Sequence, residues 1–236
     1  MIKSISFLQR KPGFSREEFV RHWLDVHVPM CHAVPGLRGY AVSTIVERQS
    51  RRDVPSLAMG DFDGVAQVWF ESLEARAAAG ASVEGKRWHA DGASIIGGIR
   101  TFVTRERFVV PLPHVDRPTY KTLLVIKRKA ELSAEKFHHE WVVVHAPMAR
   151  NVPGLRGFTQ SEIIEEQFRA DIPPFALEGP LDGFTESWWD SPAARANMIA
   201  SAAGQAWYAY GATFMGHVRT ILLEERVIVP VKEMAT

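Results

Sequence analysis

Two histidines, His27 and His145, occupy the same place in a motif that the chain contains twice, F-x-x-x-W-x-x-V-H-x-P-M. The spacing puts Trp23 and Trp141 four residues before each histidine, on the same face of a helix. A helix C-terminus favours the imidazolium and apolar surroundings favour the neutral ring, so a histidine balanced between them can act as an acid or base near neutral pH. We predict His27 and His145 as catalytic residues and the two tryptophans as substrate-binding neighbours. The alternative is a structural histidine bonded to backbone carbonyls at the helix end.

A second repeated phrase carries arginine and aspartate in a long loop. Arg51 and Asp53 in R-R-D-V-P match Arg169 and Asp171 in R-A-D-I-P. A guanidinium group can clamp a carboxylate or phenolate oxygen, and long loops often form a lid or a binding edge. We therefore assign these four residues to substrate binding. The alternative is that each arginine pairs with its aspartate, or with the rest of the fold, and pins the loop.

Two strands repeat a polar residue followed by tryptophan at alternating positions. Gln67 and Trp69 share one face of a strand, and Glu186 and Trp188 share the same face of its copy. If that face lines a cavity, both tryptophans and Glu186 are substrate-binding candidates, and Glu186 is an acid or base that the first copy lacks. The alternative places Glu186 in solvent, as is usual for a strand glutamate, and the tryptophans in the core.

The two copies differ where a site could lie. The following pairs occupy equivalent positions: His22 and Glu140, Asp25 and Val143, Cys31-His32 and Ala149-Arg150, His89 and Tyr208, Asp91 and Tyr210. The first copy keeps more titratable groups near its histidine, which favours His27 over His145.

The sequence offers little support for a bound metal or nucleotide. His27, Cys31 and His32 are close in sequence, but Pro29 interrupts the helical spacing that would align them, so we predict no metal site. We find no G-x-G-x-x-G after a strand and no phosphate loop. We expect no cofactor, although haem stays open because one histidine on a helix can be its axial ligand.

The elements that must position these residues follow the order β-α-β-β-α-β in each copy. Ser15 and Glu18 have the spacing of a capping box, which predicts the start of the first helix. Because Pro29 biases Val28 away from α conformation, we predict that this helix ends near His27. The element order is typical of a ferredoxin-like module, with an antiparallel sheet and two helices on one face.

The chain thus predicts an α+β fold made of two ferredoxin-like modules. We place the first module at residues 1–111, a proline-rich linker at 112–119, the second module at 120–230 and a C-terminal tail at 231–236. Each sheet has one face left uncovered by helices, and two such faces can pack together. We therefore expect an internal pseudo-dimer in which the two sheets close one α+β barrel.

The amino-acid composition limits the classes of function that we expect for this chain. Hydrophobic residues make up 46% of the chain, charged residues 23%, and the net charge is +1. This is not the basic footprint of a nucleic-acid-binding protein, and no apolar stretch approaches a membrane span. The N-terminus lacks the pattern of a signal peptide, and the single cysteine fits a reducing compartment. We expect a cytoplasmic protein with no nucleic-acid or membrane partner.

The run W-x-x-V-H-x-P-M, the following P-G-L-R-G and the later D-G-x-x-x-x-W-[FW] strand resemble the EthD family. That family belongs to the dimeric α+β barrel superfamily, and the resemblance covers nearly the whole chain. It implies that the histidine of the family's H-x-P motif corresponds to His27 and His145. EthD-like proteins are associated with ether breakdown, with methylmuconolactone isomerisation and with dehydration in polyketide pathways. Most have one module and dimerise, so the resemblance implies a dimer fused into one chain.

The resemblance and the residues together predict a cofactor-independent lyase, isomerase or dehydratase that acts on a small apolar aromatic or lactone-like metabolite. One alternative is a cofactor-free or haem-dependent oxidoreductase or monooxygenase, because the wider superfamily includes such enzymes. Another is a non-catalytic protein that binds or carries a hydrophobic ligand. A homodimer of the fused chain is left open.

Overall fold

The computed structural model describes residues 1–112 and 119–231 of the chain. Eight strands and seven α-helices are formed within those ranges. The strands are β1 (Ile2–Arg10), β2 (Gly39–Gln49), β3 (Gly64–Phe70), β4 (Ile96–Val110), β5 (Thr119–Arg128), β6 (Gly157–Gln167), β7 (Gly183–Trp189) and β8 (Met215–Val229). The helices are α1 (Arg16–His22), α2 (Leu73–Ala81), α3 (Val83–Ile95), α4 (Ala134–His138), α5 (Ala146–Met148), α6 (Pro192–Ala200) and α7 (Ala202–Gly211).

The eight strands close one antiparallel barrel in the order β1-β3-β2-β8-β5-β7-β6-β4. Read by halves, the strands run β4-β1-β3-β2 and then β8-β5-β7-β6. The halves are joined twice, where β2 pairs with β8 and where β4 pairs with β6. The predicted closure of two sheets into one α+β barrel is therefore confirmed, with no free sheet edge among the described strands.

Side chains alternate between the two faces of each strand, so one part of the apolar core lies inside the barrel and another part lies outside it, under the helices. On β1, Ile5 and Phe7 point into the barrel, whereas Leu8 packs under the helices. The barrel interior is an apolar cluster built from both halves, in which Phe7 contacts Phe102 and Phe184. Separate apolar clusters lie between the sheet and the helices of each half. A closed barrel thus leaves the outer, helix-covered face of each half as a second place for a site.

The first helix starts where the sequence predicts but ends later. The Ser15 side chain caps the Glu18 backbone and Glu18 returns the bond, so the capping box is confirmed. The helix does not end at His27: Val28 is helical, with φ −58° and ψ −47°. α1 continues as a π-helical segment (Trp23–His27) and then as a 3₁₀ segment (Val28–Ala33).

The prediction that the helix ends at His27 was wrong. The chain stays helical after this residue, and only the hydrogen-bonding pattern changes there. The Val28 N–H bonds to the Trp23 carbonyl, five residues back, and Pro29 follows at the start of the 3₁₀ segment. A proline is tolerated at a helical first turn, where its missing N–H has no partner to lose. The second half does the same, with the Ala146 N–H bonded to the Trp141 carbonyl.

The two long loops, residues 50–63 and 168–182, contact each other and contribute side chains to the apolar interior of the barrel. Met59 and Leu177, equivalent residues of the two halves, form an antiparallel bridge. Leu57 is buried in the barrel core, and Phe62 stacks on Phe175 with ring centroids 6.2 Å apart. The loops therefore contribute core residues, and each half completes the barrel of the other.

The module boundaries stay a prediction, because the linker at 112–119 and the tail at 231–236 fall mostly outside the described residues. β4 ends at Val110 and β5 begins at Thr119, on either side of that linker. None of the described helices has the length and apolar character that crossing a membrane requires.

Candidate functional site

His27 is the last residue of the π-helical segment of the first half, and its side chain packs against α3. Its exposed fraction is 8%. The imidazole stacks on Trp88 at 5.4 Å, and the Trp88 indole N–H donates to the His27 carbonyl at 3.1 Å. α3 approaches closely because Gly92 has no side chain; a Cβ there would lie 3.1 Å from the ring. His27 Nδ1 is 2.8 Å from Asp91 Oδ2.

Asp91 joins a second histidine to the first. Its other oxygen, Oδ1, is 3.0 Å from His22 Nε2. A carboxylate only accepts hydrogen bonds, so neutral His27 donates through Nδ1 and neutral His22 donates through Nε2. The three side chains form a His22–Asp91–His27 chain, which we call the triad.

The triad reaches the surface at His22, whose side chain is 32% exposed. There it borders a groove of about 490 Å³. The groove is lined by Gly13, Phe14, Glu18, Arg21, His22, Asp25 and Val26. The imidazole that meets the groove is therefore His22, while His27 lies behind it.

Opposing influences act on His27. Burial lowers its pKa, and the charges of His22 and Arg169 lower it further. The hydrogen bond and negative charge of Asp91 act in the opposite direction, but burial is the larger effect. At neutral pH the ring is neutral, and the adjacent carboxylate would stabilise it if it gained a proton.

His145 has different partners although it occupies the same motif position. Its Nε2 lies 3.1 Å from the Trp207 carbonyl, and within residues 1–112 and 119–231 its buried Nδ1 has no hydrogen-bonding partner. The ring stacks on Trp207 at 5.3 Å and on Tyr210 at 6.3 Å. Burial lowers the pKa of His145 to about 4. This is the structural arrangement that the sequence left as the alternative.

In the second half, the positions that correspond to His22 and Asp91 hold two residues that are hydrogen-bonded to each other. Glu140 stands where His22 stands in the first half, and Tyr210 stands in place of Asp91. The Tyr210 hydroxyl donates to Glu140 at 2.5 Å. The structure thus brings titratable groups to His27 and leaves His145 among aromatic rings.

Each arginine loop reaches across to the helices of the other half. Arg51 binds Asp53 through both Nε and Nη2, donates to the Tyr208 carbonyl at 2.8 Å and lies 4.4 Å from the centre of the Tyr208 ring. Arg169 binds Asp171 in the same way and donates to the His89 carbonyl at 3.0 Å. These contacts pin the loops, which is the alternative reading of the repeated phrase.

Trp23 and Trp141 fill the core between helix and sheet. Trp23 is stacked on Phe19 at 5.8 Å, and Trp141 lies 5.3 Å from Phe137. Both side chains are essentially fully buried. Their assignment to substrate binding stays a prediction, and their contacts are those of core residues.

Glu186 is inside the barrel, not in solvent. Its exposed fraction is 0%, and it accepts hydrogen bonds from Lys3, Lys121 and Gln67. Burial alone would raise its pKa, but the two ammonium groups outweigh burial and hold the pKa at about 2. Both carboxylate oxygens are hydrogen-bonded, and these are the contacts of an internal counter-ion, while the assignment of Glu186 to substrate binding stays a prediction.

Trp69 and Trp188 belong to the same interior layer. The Trp69 indole donates to Glu106 at 3.0 Å, and the Trp188 indole donates to Glu225 at 2.6 Å. Sequence reasoning missed the two lysines of this layer. The signal was available, since Lys3 alternates with the inward-facing Ile5 on β1, and Lys121 is its copy.

The two motif histidines differ in how their surroundings suit an axial ligand. His145 Nε2 is bonded to a carbonyl and its ring stacks on Trp207 and Tyr210, whereas the His27 bond to Asp91 uses Nδ1, an arrangement that is common for a metal-bound histidine. An axial ligand needs a ring nitrogen that faces a space large enough for the macrocycle. In the part of the chain that the structure describes, no group of three His, Cys, Asp or Glu residues could hold a metal ion.

Comparisons with known proteins agree with the motif and the barrel. Among solved structures, an anthrone oxidase-like protein is 14% identical with a TM-score of 0.64, over 100% of this chain and 96% of that chain. A mutant chlorite dismutase from Candidatus Nitrospira defluvii is 13% identical with a TM-score of 0.53, over 99% of this chain and 92% of that chain. At these identities the likeness concerns the fold alone.

Sequence relatives identify the family. The chain is 31% identical over 106 residues to the 4-carboxymethyl-4-methylbutenolide mutase of Pseudomonas reinekei, a match that spans 45% of this chain and 98% of the mutase. The profile of the EthD domain matches residues 11–98 and 129–217, one copy in each half. Two domain matches that together cover well over half of the chain show that the chain belongs to the EthD family.

Proposed function

We propose that this chain is a cofactor-independent lyase, isomerase or dehydratase that acts on a small apolar aromatic or lactone-like metabolite through the triad His22–Asp91–His27. The observation that carries the proposal is one carboxylate held between two imidazoles, at 2.8 and 3.0 Å, with one imidazole buried and the other bordering a groove.

The triad has the parts that proton transfer requires. Because His22 donates through Nε2 to Asp91, its Nδ1 is the basic nitrogen that can take a proton from a bound molecule. The imidazolium that forms is stabilised by the carboxylate beside it. His27 holds the other oxygen of Asp91 and fixes its orientation, which makes His27 a positioning residue for His22 in this arrangement.

The name of the mutase relative supports the substrate class. A butenolide is an unsaturated lactone, and a mutase moves a group within one molecule, which is isomerase chemistry. Isomerisation of such a lactone can proceed by removal of a proton from the carboxymethyl carbon as the ring C–O bond breaks, and by return of a proton to carbon as a carboxylate closes the new ring. One histidine beside a carboxylate can do both without a cofactor.

Site-directed variants test this proposal with 4-carboxymethyl-4-methylbutenolide as the probe and NMR detection of its isomers. We expect His22→Gln, His27→Ala and Asp91→Asn each to lower kcat about 100-fold or more. His145→Gln is the control and should keep kcat, since His145 bonds to the Trp207 carbonyl and not to a carboxylate among the described residues. Retained turnover in Asp91→Asn, or loss in His145→Gln alone, would contradict the assignment of the triad.

The alternative functions give different results in the same experiment. An oxidoreductase would consume oxygen with an aromatic substrate, which an oxygen electrode measures. A carrier would bind the probe without converting it, and its affinity would survive Asp91→Asn.

Three further points belong to the same proposal. Each half is a ferredoxin-like module, in line with its strand order. The protein works in the cytoplasm, where its buried Cys31, whose pKa is raised to about 11 by burial, stays an unreactive thiol. Its partner is a small apolar metabolite.

A further inference from the structure

A layer of charged side chains lies inside the barrel, on strands from both halves. It consists of two lysines, three glutamates, one glutamine and two tryptophans: Lys3, Gln67, Trp69 and Glu106 from the first half, and Lys121, Glu186, Trp188 and Glu225 from the second. We call this set the interior layer. Lys3 and Lys121 are 1% and 0% exposed. Charges so deep in a barrel are tolerated only when each is paired and hydrogen-bonded.

Most of the layer is symmetric. In the first half, Lys3 binds Glu106 at 2.6 Å, and Glu106 accepts from the Trp69 indole. In the second half, Lys121 binds Glu225, and Glu225 accepts from the Trp188 indole. Each half therefore satisfies one lysine, one glutamate and one tryptophan by itself.

The symmetry is broken at one pair of equivalent positions. Gln67 and Glu186 face each other across the pseudo-twofold axis, with Gln67 Nε2 donating to Glu186 Oε1 at 2.7 Å. Lys121 donates to the Gln67 amide oxygen and lies 2.8 Å from Glu186. Lys3 donates to the other Glu186 oxygen. The bonds Gln67–Glu186, Lys121–Gln67 and Lys3–Glu186 join the two halves, and every one of them involves Gln67 or Glu186.

A symmetric pair could not make the same bonds. Two carboxylates would leave no donor between them, and the layer would hold four negative charges against two positive ones. Two amides would remove the carboxylate that Lys3, Lys121 and Gln67 share. With one amide and one carboxylate, the amide N–H group at the axis has an acceptor and each side-chain oxygen has a donor.

We propose that Gln67 and Glu186 form an asymmetric latch that makes the two halves of this chain complementary to each other, so that the fused barrel depends on the difference between its copies. The partner recognised by each half's inner sheet face is the opposite half, not an identical one.

Four variants of the full chain test the latch, with thermal unfolding followed by circular dichroism. Gln67→Glu gives two carboxylates at the axis, and Glu186→Gln gives two amides. We expect each of these symmetric variants to lower the unfolding midpoint by about 10 °C. The double variant Gln67→Glu with Glu186→Gln exchanges the two residues across the axis and should recover most of the loss.

The fourth variant separates the latch from net charge. Gln67→Glu combined with Glu106→Gln has the same formal charge as the natural chain but still places two carboxylates at the axis. We expect it to stay as unstable as Gln67→Glu alone. Equal recovery in this variant and in the exchanged double variant would show that only net charge matters and would overturn the proposal.

The pH response adds a second readout. In Gln67→Glu, the new carboxyl faces Glu186, Lys3 and Lys121, and Glu106 and Glu225 lie beyond them. A carboxyl at the axis should therefore take up a proton on folding. Folding that binds a proton is favoured as pH falls. We therefore expect the midpoint of Gln67→Glu to rise relative to the natural chain between pH 7 and pH 5. An unchanged difference would contradict the latch, as would a failure of the exchanged variant to recover.

Discussion

At the scale of residues, the partner of each imidazole decides what it can do. His27 and His145 share a motif, a stacked tryptophan and a buried position. His27 has Asp91, which stabilises a positive ring, whereas His145 is buried against a backbone carbonyl and, in residues 1–112 and 119–231, has no carboxylate bonded to it. The same motif therefore places one histidine beside a carboxylate and the other against a backbone carbonyl and aromatic rings, while the catalytic role of each stays a prediction.

The depressed pKa of His145 predicts a pH dependence of stability. Its pKa is about 4 in the folded protein against 6.5 for a free histidine, so the unfolded chain binds the proton more readily. Stability is therefore full above pH 6.5 and is lost as pH falls towards 4, by about 3 kcal/mol at most.

Urea unfolding at pH 7 and pH 4.5 measures this loss. His145→Gln should show a smaller fall between the two pH values than the natural chain. The exposed His32→Gln is the control and should behave like the natural chain. A His145 ring that NMR shows to titrate near pH 6.5 would refute the prediction.

At the scale of elements, a hybrid helix positions the triad. The π-helical segment carries the chain past His27 and lets Pro29 follow without a break. Helix α3 then brings Asp91 over that segment, because Gly92 permits contact with the His27 ring. The first turn of the helix could be read from its capping box, but the change of helix type could not.

The contact between helix and sheet depends on a glycine that faces a tryptophan. A Cβ at Gly64 would lie 2.4 Å from the Trp23 ring, and one at Gly183 would lie 2.3 Å from the Trp141 ring. Both rings are enclosed by core residues and have little room to move. We expect Gly64→Ala and Gly183→Ala each to destabilise the protein by about 1–3 kcal/mol.

Denaturant titration measures that cost. The exposed Ala196→Ser should change the unfolding free energy by about 0.5 kcal/mol or less and serves as the control. A neutral Gly64→Ala would show that the helix can shift away from the sheet.

At the scale of the whole molecule, the two halves share one core. The barrel interior contains residues of both halves, and the two long loops contact each other. Neither half has a complete inner core by itself. We therefore expect one cooperative transition on heating rather than two.

Differential scanning calorimetry checks this, because a two-state transition has equal calorimetric and van't Hoff enthalpies. Phe62→Ala and Phe175→Ala, one in each half, should both lower the same single midpoint. A trace with two peaks, each sensitive to only one of the substitutions, would contradict a shared core.

The sequence predicts the fold better than the site. Ser15 with Glu18, the alternating strands and the repeated motif act over a few residues, so their effects can be read locally. The triad joins His22 and Asp91 across 69 positions, and the latch joins Gln67 and Glu186 across 119. No local pattern reports such distances, although unequal residues in the two copies marked His22, Asp91 and Glu186 as places to look.

The sequence by itself determined the duplication, the order of elements and the two motif histidines, because each depends on near neighbours along the chain. Only the tertiary structure decided that His27 meets a carboxylate, that His145 meets the Trp207 carbonyl, and that Glu186 is enclosed with two lysines. Those outcomes depend on which side chains the closed barrel and its helices bring within hydrogen-bonding distance. The free energy of a buried charge is set by these distant partners, which the residue's own segment does not contain.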